Sequence, residues 1–290
     1  MAATAPAMLA GASGAPAGVG VPERNDFEEL LEALSRLVGV EMRSATPETV
    51  LVDIGWDSLA MAEVLAMLDA AGVDVHEDLV AGLRTVGDVH HYLARLAEPG
   101  ACRPVRPYEP FKGPNVMLAP VSQRHYDWLF SLCATGDHLV RYRLRAMTPA
   151  PESFHRFLWD KVLTQFVVCT HSGDLVGLVS CLEPDFRNRY GYLAAVTDPA
   201  RDGDGLVVEG MAVLISYLFA QFDLRKLYLE SLESNFSRFA SGASRVFDIE
   251  GRLRGHEYVD GCYQDFIVAA IWRDPWRDHH QRILGSAPPY

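Results

Sequence analysis

In "DFEELLEALSRLVGV", apolar residues at 27, 30, 31, 34, 37 and 38 recur at helical spacing behind an Asp26 cap. A second helix begins near Ser58: in "LAMAEVLAMLDAAG", Leu59, Ala62, Leu65 and Met67 or Leu68 share a face, and Gly72 offers a C-cap. "TVGDVHHYLARL", from Thr85, predicts another helix that turns Val86, Val89 and Leu93 inward. Three or four short helices over residues 23–97 make a small bundle.

From about residue 115 the period changes. "FVVCTHSGDLVGLVSCLE" reads as two strands joined at Ser172-Gly173-Asp174, and "RYGYLAAVTDP" as a third. "GLVVEGMAVLISYLFAQF" predicts a helix of about four turns, with "KLYLESLES" and "QDFIVAAIW" as later strands. Strands alternating with helices predict an α/β or α+β domain around a mixed sheet. "EPGACRPVRPYEPFKGP", residues 98–114, holds five prolines and reads as a semi-rigid tether. The division is therefore a loose leader (1–22), a helical unit (23–97), the tether (98–114), an α/β unit (115–280) and a loose tail (281–290).

Charge sharpens that division. Residues 23–97 hold 15 Asp and Glu against 5 Arg, a net of −10 out of the chain's −12. Such a surface repels nucleic acid and suits docking on basic patches of proteins. No apolar run approaches a membrane span, and the leader lacks a signal peptide's basic start. The five cysteines are widely spaced, with no C-x-x-C pair, which argues against a disulfide framework or a metal site and points to the cytoplasm.

The chemistry of the first unit centres on Ser58. Gly55, Asp57, Ser58 and Leu59 open the second helix of an acidic bundle, and in this setting the chain resembles an acyl or peptidyl carrier protein. Trp56 stands where that family usually has a small residue. The resemblance implies a 4′-phosphopantetheine arm attached to Ser58 by a phosphopantetheinyl transferase. It also implies an adenylation or ligase enzyme that loads the arm, and downstream assembly enzymes. The plain alternative is that Ser58 is an N-cap.

In the second unit, "DLVGLVSCLEPDFRNRYGYLAAVTDPARDGDGLVVEG" and the late "EGRLRGHEYVDGCYQD" resemble the GNAT acetyltransferase superfamily, in the branch acting on ribosomal proteins and small amines. The resemblance implies a pantetheine groove where the strand Tyr192–Thr197 splays from its neighbour. Ala195, Val196 and Thr197 would line it, and the loop residues Gly203, Gly205 and Val207 would receive the phosphates of an acyl-CoA. The sequence departs from the family there: Asp202 replaces a basic residue, Val207 a small one, and Arg201 lies one position early. Tyr192 occupies the register of the usual general base and is the candidate catalytic residue. Gly242 falls in the register of the usual general-acid Tyr. Glu230 and Asn235 are expected near the substrate, Glu209 is expected to be structural, and His125, His138, His155 and His171 read as scattered surface residues. Together these imply a carrier-tethered N-acyltransferase of specialised-metabolite assembly, in which one reactant rides on Ser58. Either acetyl-CoA acylates a carried amine, which ranks slightly ahead, or the arm's own acyl group is the donor. A non-catalytic fold that shelters the arm is the rival.

Overall fold

The computed structural model describes residues 31–32, 35–36, 45–70, 83–96 and 109–286. The leader, most of the first predicted helix and residues 97–108 lie outside these.

Of the helical unit, residues 31–32 and 35–36 are helical, and among the described residues a short 3-10 turn (Leu51–Ile54) and two α-helices follow: α1 (Ser58–Ala70) and α2 (Val86–Leu96). Val86 and Val89 are buried as the spacing predicts, while the side chain of Leu93 lies outside the described residues. A single bridge, Val50 to Thr85, ties the segment before α1 to the start of α2.

The second unit is built on one seven-stranded sheet in the order β1-β2-β3-β4-β5-β7-β6. Its strands are β1 (Val116–Pro120), β2 (Val162–Thr170), β3 (Leu175–Asp185), β4 (Tyr190–Thr197), β5 (Lys226–Leu232), β6 (Asp248–Val259) and β7 (Cys262–Trp272). Only β4 and β5 run parallel, which requires a crossover between them. That crossover is α6 (Leu206–Gln221), preceded by α3 (Tyr126–Cys133), α4 (Gly136–Arg141) and α5 (Pro151–Trp159), and followed by the short α7 (Glu233–Phe236) and by α8 (Arg273–Leu284).

Alternation along β2 divides the core between two faces. Phe166 and Val168 pack with α6 and α8, and Val167 and Cys169 pack with α3 and α5. α6 is apolar nearly all round because it is buried nearly all round. Its one buried carboxylate, Glu209, accepts from the Asn115 and Val116 N–H groups at 2.8 and 3.1 Å and from Asn115 Nδ2 at 2.9 Å. Glu209 thereby fixes the start of β1 on α6, the structural role expected of it.

Two expected boundaries move. The last residues of the tether, 109–114, pack on the domain: the Phe111 ring lies tilted against those of Phe166 and Tyr217 at centroid distances of 5.2 and 4.9 Å, and the Phe111 carbonyl accepts from the Leu118 N–H. A proline-rich composition concealed this aromatic anchor. The start of the supposed loose tail is the last turn of α8, where Ile283 and Leu284 are buried. Polar residues dominate α8, so its narrow apolar stripe was easy to overlook. No helix among the described residues is long and apolar enough to cross a membrane.

Glu209→Ala leaves two backbone N–H groups and an amide without their acceptor. It should destabilise the domain by about 2–3 kcal/mol in urea unfolding. Glu209→Gln, which keeps an acceptor oxygen, should lose less.

Candidate functional site

The parallel ladder between β4 and β5 runs only from the Tyr190–Lys226 pair to Leu193–Leu229. Beyond it β4 stays paired with β3 and β5 stays paired with β7, so the two strands part at Ala194 and Glu230. The cavity that opens there has a volume of about 880 Å³. Ala195, Val196 and Thr197 line one wall, Gly203, Gly205 and Val207 its loop end, and Tyr192, Glu230 and Asn235 its far end. The groove residues expected from the sequence thus share one cavity. Two of its wall residues, Ser58 and Leu59, belong to the helical unit.

That junction follows from local chemistry. Asp57 Oδ1 accepts from the N–H groups of Leu59 and Ala60, both at 3.0 Å, so Asp57 caps α1. Ser58 is therefore not the cap; its side chain stands half-buried on the cavity wall. The same Asp57 also reaches the α/β unit, accepting from Ser241 Oγ at 2.8 Å and from the Ser241 N–H at 3.0 Å. The Ser58 N–H donates to the Arg238 carbonyl at 3.3 Å. Leu59 and Ala62 join the core formed by α6 and α8. Deeper in the contact, Glu63 is fully buried and bonds Arg245 at 2.6 Å. Burial pushes the Glu63 carboxyl above its ordinary 4.5, while Arg245 and Arg282 pull it down and Asp57 adds to the rise.

Two glycines make room for α1. Gly205, at φ +79°, precedes α6, and a Cβ there would stand 2.9 Å from both the Ala62 nitrogen and the Ser58 carbonyl oxygen. At Gly242 a Cβ would meet Leu59 Cδ2 at 2.7 Å and the Phe247 ring at 2.5 Å. Where the GNAT resemblance places a general-acid tyrosine, this chain has a glycine against which Leu59 and the Phe247 ring pack.

The loop before α6 carries less bare charge than its sequence suggests. Asp202 pairs with Arg238 at 2.5 Å, and Asp204 Oδ1, just before the Gly205 cap of α6, accepts the Leu206 N–H at 2.9 Å. Arg201, the residue expected to compensate, instead faces Asp174 at 3.6 Å. Val207 is buried against Gly177.

At the far end Tyr192 stacks on Tyr228 with centroids 5.3 Å apart. Desolvation and the nearby Glu230 raise its phenol above the ordinary tyrosine value. The Glu230 carboxyl is raised too, chiefly by desolvation and by Glu183, against the pull of Arg145. Arg145 in turn pairs with Glu257 at 3.2 Å. Sequence reasoning missed Arg238, Ser241 and Arg245, which carried no motif. It also read His138 as a surface residue; its Nε2 lies 2.8 Å from the Thr197 carbonyl, on the groove wall.

Known proteins resemble the two units separately. The profile of the phosphopantetheine attachment site family matches residues 28–93, which include Ser58. The meromycolate extension acyl carrier protein of Mycolicibacterium aurum is 41% identical over 71 residues, covering 24% of this chain and 73% of that protein. The spermidine N(1)-acetyltransferase of Escherichia coli K12 is 24% identical over 172 residues, covering 58% of this chain and 91% of that protein. The structure of spermidine N-acetyltransferase from Vibrio cholerae, in complex with CoA and spermine, superposes with a TM-score of 0.51 at 18% identity, over 56% of this chain and 98% of that one. Fold and groove thus define a carrier unit joined to an N-acetyltransferase-like domain. The chain belongs to the phosphopantetheine-attachment acyl carrier family through its first unit, and its second has the GNAT fold.

Phosphopantetheine is the covalent cofactor of such a carrier unit, and a phosphopantetheinyl transferase its implied partner. The residues present fit the arm, since the Ser58 side chain is spared from capping and stands on the wall of the groove.

Arg245→Ala strands the buried Glu63 carboxylate. It should weaken the α1 contact by about 2 kcal/mol, the figure for breaking a buried pair reduced for the partial exposure of Arg245. Because the docked Glu63 carboxyl titrates above 4.5, docking takes up a proton. The contact should therefore be firmest below pH 4.5 and loosen as the pH rises through the docked-state value, and Glu63→Gln should remove that dependence. Protease sensitivity of α1 as a function of pH reads all three proteins.

Proposed function

We propose that this chain is a carrier-tethered N-acyltransferase of specialised-metabolite biosynthesis, of the polyketide or nonribosomal-peptide kind, acting in the cytoplasm. One reactant is held as a thioester on a phosphopantetheine arm at Ser58, and the α/β unit joins an acyl group to an amine. The supporting observation is that Ser58 lines the same cavity as Ala195, Tyr192 and Glu230. The arm supplies a thiol that holds an acyl or aminoacyl group. In the overall reaction the amine nitrogen bonds to the thioester carbon, the carbon–sulfur bond breaks, and the amine proton ends on the released thiol.

The chain's own residues serve this reaction in simple ways. The unpaired edge of β4 beyond Leu193 offers backbone groups to an extended arm, as a sheet edge takes up a strand. Glu230, Glu183 and Glu257 place carboxylates at the far end, Glu183 paired with Lys161 and Glu257 with Arg145, and Glu230 is the one that suits an amine acceptor. Glu230 with its raised carboxyl and Tyr192 beside it are the groups positioned to accept or hold a proton there. The acetyltransferase relatives act on spermidine, which is a further reason to expect an amine. Tethering keeps the reactant at an effective concentration that reaches the order of mM for a short flexible link. An adenylation or ligase enzyme would load the arm, and later assembly enzymes would take the product.

The second reading, a domain that only shelters the arm, draws on Gly242 standing in the register of the usual acid. One experiment separates the readings from each other and from error. The Ala195→Cys chain is loaded at Ser58 by a broad-range phosphopantetheinyl transferase with a CoA analogue ending in a chloroacetamide. Cross-linking to residue 195 should be fast and independent of protein concentration, and absent in Ser58→Ala. Acetyl-loaded or aminoacyl-loaded chain, supplied with amines or with acetyl-CoA, should then show turnover by intact-protein mass spectrometry. Cross-linking without turnover leaves the sheltering role, and its absence contradicts tethering altogether.

A further inference from the structure

The GNAT resemblance implies that an acyl-CoA whose pantetheine lay in the groove would place its diphosphate at the N-terminus of α6. The first turn of a long helix presents free N–H groups and the positive end of its dipole to an anion. Leu206 already donates to Asp204, which leaves Val207 and Val208 as the donors of that turn among the described residues. This end of the groove is also where α1 sits. The Gly205 α-carbon faces the Ser58 carbonyl and the Ala62 nitrogen so closely that a methyl group would not fit between them. Arg238, a cation beside the loop, is engaged by Asp202, Arg201 faces Asp174, and the Arg238 carbonyl receives the Ser58 N–H.

The arm that Ser58 would carry and the corresponding part of CoA are the same chemical unit, a phosphate followed by pantetheine. They differ in what holds the phosphate: a serine ester in one, an adenosine nucleotide in the other. We propose that docked α1 occupies the place of the nucleotide, so the groove takes its pantetheine from Ser58 or from an acyl-CoA but never from both at once. This inference rests on the tethered reading above and deepens it. The docked geometry delivers the arm from the donor end. A carried amine awaiting acetyl-CoA would instead have to approach from the Glu230 end with α1 undocked. Gly205, Gly242, Ser241 and Arg245 become specificity residues: they admit a helix of the same chain where a nucleotide would otherwise enter.

The test is a calorimetric titration of the full-length chain, with Ser58→Ala as background so that no arm competes, using acetyl-CoA as the probe. The same titration is repeated with Arg245→Glu, which faces the buried Glu63 with a like charge and lies away from the groove lining. Acetyl-CoA should bind the docked chain at least tenfold more weakly than it binds the Arg245→Glu chain. Equal affinity in the two would overturn the inference. Should Arg245→Glu fail to fold, a second measurement decides. Millimolar CoA is added to the arm-loaded Ala195→Cys chain, and CoA binding and the rate of cross-linking are followed. No binding of CoA, or binding that slows the cross-linking in proportion to its occupancy, supports exclusion, and binding that leaves the rate unchanged overturns it. Cross-linking that never occurs speaks against the tethered reading itself, whereas cross-linking together with tight acetyl-CoA binding to the docked chain speaks against exclusion alone.

Discussion

The structure turns on the burial of one carboxylate, Glu63, against one guanidinium, Arg245, between two units that the sequence separates by a proline-rich tether. A buried carboxylate is costly unless a partner satisfies it, so this pair makes the contact selective. Around it the apolar side chains Leu59 and Ala62 supply burial, and Asp57 couples the cap of α1 to Ser241. An acidic helix that would otherwise serve any basic partner is thereby given a partner within its own chain.

The consequence reaches the groove. The parting of β4 from β5 is a property of the α/β unit alone, fixed by four parallel pairs and then none. What fills the loop end of that gap is a property of the helical unit. Departures that look like damage when the α/β unit is considered alone gain a physical reason when α1 is in place. Asp202 has Arg238, Asp204 accepts from the Leu206 N–H, and Gly242 leaves room for Leu59. The same observations explain why Trp56 is tolerated before the serine: it is buried, although its indole N–H lacks a hydrogen-bond partner. Such an unsatisfied donor costs about 1–3 kcal/mol, which the surrounding burial must offset.

Much of the architecture was legible from periodicity. The β2–β3 hairpin, β4, α6, β5 and β7 all follow from alternation or helical spacing, because each buries at least one continuous apolar face. β6 escaped because it lies at the sheet edge and is exposed along most of its length, so it shows no alternation. The groove was legible only through resemblance: Ala195 and Glu230 have no local signature, and their meeting depends on a ladder that stops. The contact between units was not legible at all. Glu63 looks like one more exposed acid on an acidic helix, and Arg245 like a loop residue. A pair separated by 182 positions leaves no mark on the sequence near either member.

The central claim is that α1 is held on the α/β unit with Ser58 at the mouth of the groove. Hydrogen exchange read by mass spectrometry tests it most directly, comparing the full-length chain with Arg245→Glu. Residues 58–66 and 238–247 should be protected together in the parent and lose protection together in the variant, while β3 and β4 keep theirs. Exchange in those two segments that is already fast in the parent, or that the variant leaves unchanged, would contradict the account.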